Sequence, residues 1–127
     1  MNQITLIIAS SYGALAILLG AFGAHALKKI LNNEQLKSFE SGVKYQMYHS
    51  ITLLILGINL NFETKIDTLI VLCFSLGTFL FSFSIYGLVF SAAKNKKIKI
   101  LGPITPLGGL LLFLGWCLLI YHYTFLL

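Results

Sequence analysis

A four-helix integral membrane bundle is the fold class this sequence predicts, and three observations carry it. From Met1 to Leu27 there is no Lys, Arg, Asp or Glu, a run longer than the roughly 20 apolar residues needed to cross a bilayer core of about 30 Å. Of the 127 residues, 57% are hydrophobic and only 10% charged, with a mean hydropathy of +0.88, more apolar surface than a water-soluble domain of this size can hide. The few charges crowd into short segments between further apolar runs, so spans are expected at about 4–27, 45–62, 68–93 and 106–126. The predicted architecture is a single all-α domain over 1–127, an antiparallel bundle of four transmembrane helices with a short amphipathic interfacial helix between spans 1 and 2.

Span 1 imitates a signal peptide, because Ala24-His25-Ala26 resembles an A-x-A cleavage site. A signal peptide places its positive charge before a short apolar region, whereas here Lys28 and Lys29 follow a long one, so the segment reads as a retained helix. At helical spacing Ala9, Gly13, Ala16, Gly20, Gly23 and Ala24 form one stripe, with bulky Leu and Ile elsewhere. In lipid such a stripe is a packing face, since small residues let helix backbones approach and gain dispersion contacts. His25 projects from nearly the opposite side. No strand precedes the glycines and no Lys-Ser/Thr follows in register, so they imply no phosphate loop.

The segment from Asn32 to Lys44 is polar but patterned. Leu36, Phe39, Val43 and Met47 recur on one side and Glu34, Lys37, Ser38, Ser41 and Lys44 on the other, with Asn32 or Asn33 available as a cap. It reads as an interfacial helix that bends or continues into span 2. Span 2 opens with Tyr45-Gln46-Met47-Tyr48-His49-Ser50, where Tyr45, Tyr48, His49 and Thr52 share a face suited to the bundle interior or to headgroup depth. Glu63, Lys65 and Asp67 then mark a turn. In span 3, Ser75, Thr78, Ser82 and Tyr86 align on one side and Gly77, Ser84, Gly87 and Ser91 on the other. Hydroxyls of the first set face the interior and the second set allows close packing. A basic loop with Lys94, Lys96, Lys97 and Lys99 precedes span 4, for which Thr105 suits the N-cap and Pro106 the first helical position. Gly108, Gly109 and Gly115 supply that helix's small surface.

Charge sets the expected orientation. All nine positive side chains are lysines, in a few short segments rather than on one exposed face, which argues against a nucleic-acid partner. Four spans put the connections after spans 1 and 3 on one side, with Lys28, Lys29, Lys37, Lys44, Lys94, Lys96, Lys97 and Lys99, and leave Lys65 on the other. By the positive-inside rule the lysine-rich connections are cytoplasmic and both termini outside. That orientation gathers His25, Tyr45, Gln46, Tyr48, His49, Ser82, Tyr86 and Thr105 into the cytoplasmic leaflet as a candidate polar site, with His25 and His49 expected to share it. Gly13, Gly20, Gly23, Gly87, Gly108 and Gly109 are the candidate helix-packing positions. Cys73 and Cys117 lie in apolar runs with no Cys-x-x-Cys spacing, so neither a disulfide nor a metal site is suggested.

Three ordered motifs, Gly20-Ala-Phe-Gly-Ala-His25, Tyr45-Gln-Met-Tyr-His49 and Gly102-Pro-Ile-Thr-Pro-Leu-Gly-Gly109 with the later Leu114-Gly-Trp116, resemble the domain of unknown function 423 family. These are small bacterial membrane proteins similar to eukaryotic transmembrane protein 256. The resemblance covers nearly the whole chain and implies a four-helix architecture in the bacterial plasma (inner) membrane, with no agreed activity; no cofactor is expected. Where the family usually has Phe-Ser-Gly-Ser, this chain has Phe81-Ser82-Phe83-Ser84, so its packing at Phe83 is expected to differ.

Three function classes follow. A non-enzymatic membrane subunit or accessory factor fits the small-residue seams and short loops, its partners being the lipid bilayer and a membrane protein or a second copy. A small oligomeric transporter would have to work without an intramembrane carboxylate, because Glu34, Glu40, Glu63 and Asp67 all fall in connections, and would need His25 or His49 for coupling. A lipid- or redox-cofactor-interacting protein would use the same two histidines, yet the chain has no nucleophile elbow and no H-E-x-x-H helix.

Overall fold

The computed structural model describes residues 1–126; the side chain of Ala24, one position of the expected seam, lies outside the description. The described residues are all-helical: α1 (Asn2–His25), α2 (Asn33–Asn59), α3 (Lys65–Thr78), a π-helical turn (Phe79–Phe83), α4 (Ser84–Ala93) and α5 (Ile104–Phe125). Helices α3 and α4 form one rod through the wide turn. Asn2–Gly23, Lys65–Ala93 and Lys99–Phe125 are each long and apolar enough to cross a bilayer. Helix α2 is as long, but its first half is too polar by composition to count with them.

The segment expected to bend or continue into span 2 continues into it, as the first half of α2. Asn32 accepts from the Gln35 backbone N–H at 2.8 Å while the Gln35 side chain accepts from the Asn32 N–H at 3.0 Å. This capping box starts the helix at Asn33, and the sequence holds no proline before Asn59 to stop it. A second capping box, between Thr64 and Asp67, starts α3. Asp67, read from the sequence as part of a turn, therefore stands in the first turn of a helix. The last helix also starts earlier than expected: Ile104 follows Pro103, whose φ of −67° is already helical. Thr105 is thus inside the helix rather than capping it, and its hydroxyl lies 2.6 Å from that of Ser84.

Two antiparallel hairpins make the bundle. Helix α1 packs on α2 through its small stripe: Ala9 and Ala16 are buried, Gly13 faces Ser50, and Gly23 faces Phe39. His25, on the far side of the stripe, is exposed. Helix α5 packs on the α3–α4 rod, with Gly77 against Leu112, Gly115 against Phe74 and Gly108 against the backbone of Phe81. The rod is central, since 44% of its apolar window is buried against 17% in α1 and in α5.

The two side-chain stripes of the rod separate its neighbours. Ser75, Ser82 and Tyr86 meet the α1–α2 hairpin through hydrogen bonds and the buried Thr78 donates to the Phe74 carbonyl of its own helix, while Gly77, Ser84 and Gly87 meet Leu112, Thr105 and Leu101. One apolar cluster, including Leu53, Leu56, Ile70 and Phe74, fills one end of the bundle, and another, including Leu27, Leu31, Phe39, Tyr86 and Val89, fills the other. The connections after α1 and α4 lie at this second end. Asn2 donates to the Leu60 carbonyl at the first. Outward, Ile17, Phe22, Ile58, Phe113 and Ile120 are all more than half exposed, an apolar coat suited to lipid.

Candidate functional site: a polar string across the helices

The expected polar residues are positioned by the buried face of α2, where Phe39, Gly42, Gln46, His49, Ser50, Leu53 and Leu56 recur every three or four residues. Gln46 is 0% exposed, and both ends of its amide are used. Its Nε2 donates to the Tyr12 carbonyl of α1 at 2.8 Å, and its Oε1 accepts from the Tyr86 hydroxyl of α4 at 2.7 Å. One side chain thus ties three helices. One turn away the Ser82 hydroxyl donates to the Gly42 carbonyl at 2.7 Å. The close approach depends on Gly42, since a Cβ there would lie 2.8 Å from a Tyr86 ring carbon. Further along, Ser50 donates to the Ala9 carbonyl at 2.7 Å and the Tyr12 hydroxyl to the Ser75 carbonyl at 2.9 Å.

His49 belongs to a neighbouring aromatic group. Its Nδ1 lies 2.8 Å from the Tyr45 carbonyl, which can only accept, so Nδ1 carries the proton and Nε2 presents a lone pair. The Trp116 indole N–H donates to that Nε2 across a longer 3.4 Å. Phe74 packs against both rings, and Tyr45 stacks along His49 with its own face on Phe81.

The sequence-predicted residues therefore fall into several places. Gln46, Tyr86 and Ser82 meet in the string. Tyr45 and His49 belong to the aromatic group, Tyr48 flanks it edge-on to Tyr45 at 5.9 Å while 57% exposed, and Thr105 pairs with Ser84. No side-chain hydrogen bond or ring contact joins His25 to His49 among the described residues. The string lies halfway along α2 rather than near its start, because the helix begins twelve residues before Tyr45. Among the described residues no group of three His, Cys, Asp or Glu side chains gathers.

Sequence reasoning missed Tyr12, Gly42, Ser50 and Trp116 as members, although the three-and-four spacing of α2 marks Gly42 and Ser50. It also missed a buried pair at the other end: Asp67 Oδ1 lies 2.9 Å from His122 Nδ1, with side chains 4% and 12% exposed. The two atoms are close but poorly aligned for a hydrogen bond.

Gly42, Gln46, Ser50, Ser82 and Tyr86 lie on a segment that matches a known family, and Tyr12 lies before it. The family model described as "Protein of unknown function (DUF423)" matches residues 19–109. The chain belongs to this family. It is 38% identical over 120 residues to a UPF0382 membrane protein of Staphylococcus aureus, covering 93% of each chain. It is 34% identical over 110 residues to one of Schizosaccharomyces pombe, covering 86% of this chain and 92% of that one. It is 33% identical over 122 residues to the UPF0382 inner membrane protein YgdD of Escherichia coli, covering 94% and 88%. No solved structure matches the chain. This DUF423 protein is thus a membrane protein from a family without an assigned activity. Phe83 lies in the π turn, stacked on Phe79 at 5.0 Å and edge-on to Tyr86 at 5.5 Å.

Proposed function

We propose that this chain is a four-span inner-membrane bundle acting as a non-enzymatic subunit or accessory factor, which engages a membrane-protein partner or a second copy of itself through its lipid-facing helices. Both termini lie outside and the lysine-rich connections in the cytoplasm. Helix α2 is the fourth span. Hydropathy averages count its Gln46, His49 and Ser50 against it, but these side chains are buried against neighbouring helices, where a polar group costs the bilayer nothing. The observation that carries the functional reading is Gln46: fully buried, with both amide ends taken by α1 and α4. The interior polar groups are spent on holding helices together. Purification in mild detergent with its native lipids, followed by mass spectrometry, tests this; a stoichiometric partner or a dimer is the expected result. A monomer that no protein accompanies defeats it. An alkaline phosphatase fused after Leu127 should be active, whereas a silent phosphatase with a fluorescent cytoplasmic fusion reverses the orientation.

A second reading, a small oligomeric transporter, draws support from the buried Asp67 beside His122, a carboxylate that the sequence assigned to a connection. Proton flux in proteoliposomes, abolished by Asp67→Asn, is its signature. The cofactor reading is weaker, because both ring nitrogens of His49 already have partners.

A further inference from the structure

Where the lysine-rich connections lie, the bundle leaves a gap on one flank. Helix α5 begins at Ile104 and meets the rod at Ser84 through Thr105, so the rest of α4, up to Ala93, extends beyond the start of α5. The missing turns leave a groove of about 470 Å³ between α2, α4 and the turn that carries Lys97, within the roughly 300–1,000 Å³ of small-molecule sites. Its two walls differ. Helix α2 contributes Glu34, Ser38 and Ser41, and α4 contributes Ile85, Leu88 and Ala92. Glu34 and Lys97 both line the groove, yet among the described residues they form no ion pair with each other. Opposite charges thus border one space and leave it open.

We propose that this groove holds the headgroup of phosphatidylethanolamine. Its ammonium donates to the Glu34 carboxylate, its phosphate takes Lys97 and the Ser38 hydroxyl, and its glycerol lies on the Leu88 and Ala92 side. A lipid suits the site because the groove is amphipathic and, on the four-span reading on which this inference rests, sits at headgroup depth. The 27 residues of α2 rise about 40 Å, and a hydrocarbon core of about 30 Å leaves the first turns, with Glu34 and Ser38, outside it. Charge selects among lipids. Phosphatidylglycerol has no cation for Glu34, and the quaternary ammonium of phosphatidylcholine has no N–H to donate.

Native mass spectrometry of the full chain in detergent, titrated with short-chain phosphatidylethanolamine, phosphatidylcholine and phosphatidylglycerol, tests the proposal. Wild type is expected to prefer the ethanolamine lipid by roughly tenfold, the factor that one charge-assisted hydrogen bond supplies. Glu34→Gln should remove that preference without weakening phosphatidylglycerol binding, and Lys97→Met should weaken all three. Both variants should melt with the wild type, which separates lost binding from lost folding. Equal binding of the three lipids by wild type, or an undiminished ethanolamine preference in Glu34→Gln, overturns the site. The phosphatase fusion reads span topology independently, so failure of the lipid site and failure of the four-span reading give different results.

Discussion

The two hairpins of this bundle adhere by different means. Helix α1 meets α2 across small residues reinforced by side chains that donate to backbone carbonyls, Ser50 to Ala9 and Gln46 to Tyr12. Helix α5 meets the rod chiefly by close backbone approach, with the Ser84–Thr105 hydroxyl pair beside it: a methyl group on Gly108 would collide with the Phe81 backbone nitrogen and lie 2.8 Å from its Cα. Lipid tails are as apolar as leucine, so neither hairpin gains much from burying apolar surface, and each depends on contact or on hydrogen bonding. Hydrogen bonds survive small shifts of a helix. Backbone contact does not, and the α5 hairpin should be the more brittle of the two.

Substitutions can break that comparison, beginning where the effect is largest. Gly108→Ala should cost about 3 kcal/mol, the upper end of ordinary overpacking, because the obstruction is backbone that cannot rotate away. A detergent melt shows it as a marked loss of thermal stability; an unshifted melt would mean that α5 does not touch the rod as described. Gln46→Leu should cost about 1–3 kcal/mol by leaving the Tyr86 hydroxyl buried without its acceptor. Adding Tyr86→Phe should recover part of that loss, and a double variant no better than the single one would detach the two residues. Ser50→Ala should cost about 0.6 kcal/mol, the average for interhelical hydrogen bonds in membranes, measured by equilibrium unfolding in mixed micelles. Smallest of all, Gly20→Ala and Gly109→Ala should change stability by less than about 0.5 kcal/mol. Their added carbons would sit 3.6 Å from Val43 and 3.7 Å from Phe81, at ordinary contact distance; a large loss at either site would erase the distinction between the hairpins.

Much of the helix framework was legible because it depends on periodicity. The stripe through Ala9 and Ala16 faces α2, and the two stripes of the rod face different neighbours, as side-chain spacing requires. Boundaries were harder: the sequence reading offered Asn32 or Asn33 as a cap but counted the span only from after Lys44, whereas one helix runs from the Asn32 cap through both segments. Lys44 is exposed, and a long side chain can reach the headgroups from there. The bond between Gln46 and Tyr86 spans 40 residues, and Asp67 and His122 lie as far apart or farther in the chain. Such pairings depend on how the hairpins dock, which one strand of sequence does not encode locally. The comparable weight given to Gly108 and Gly109 has the same origin: composition identifies a small surface but not the atom opposite each position.

The π turn at Phe79–Phe83 sets the angular phase between the two arms of the rod. The wide turn takes up one residue more than an ordinary helical turn, so removing one residue within it should close it to regular helix and leave α4 in its present phase. Removing one residue from the regular helix just before Tyr86 should instead rotate the rest of α4 by about 100° relative to α3, carrying Tyr86 away from Gln46 while leaving the contacts of Gly77 and Gly115 with Leu112 and Phe74 in place. The rod can lose a residue at the turn that it cannot lose beside it.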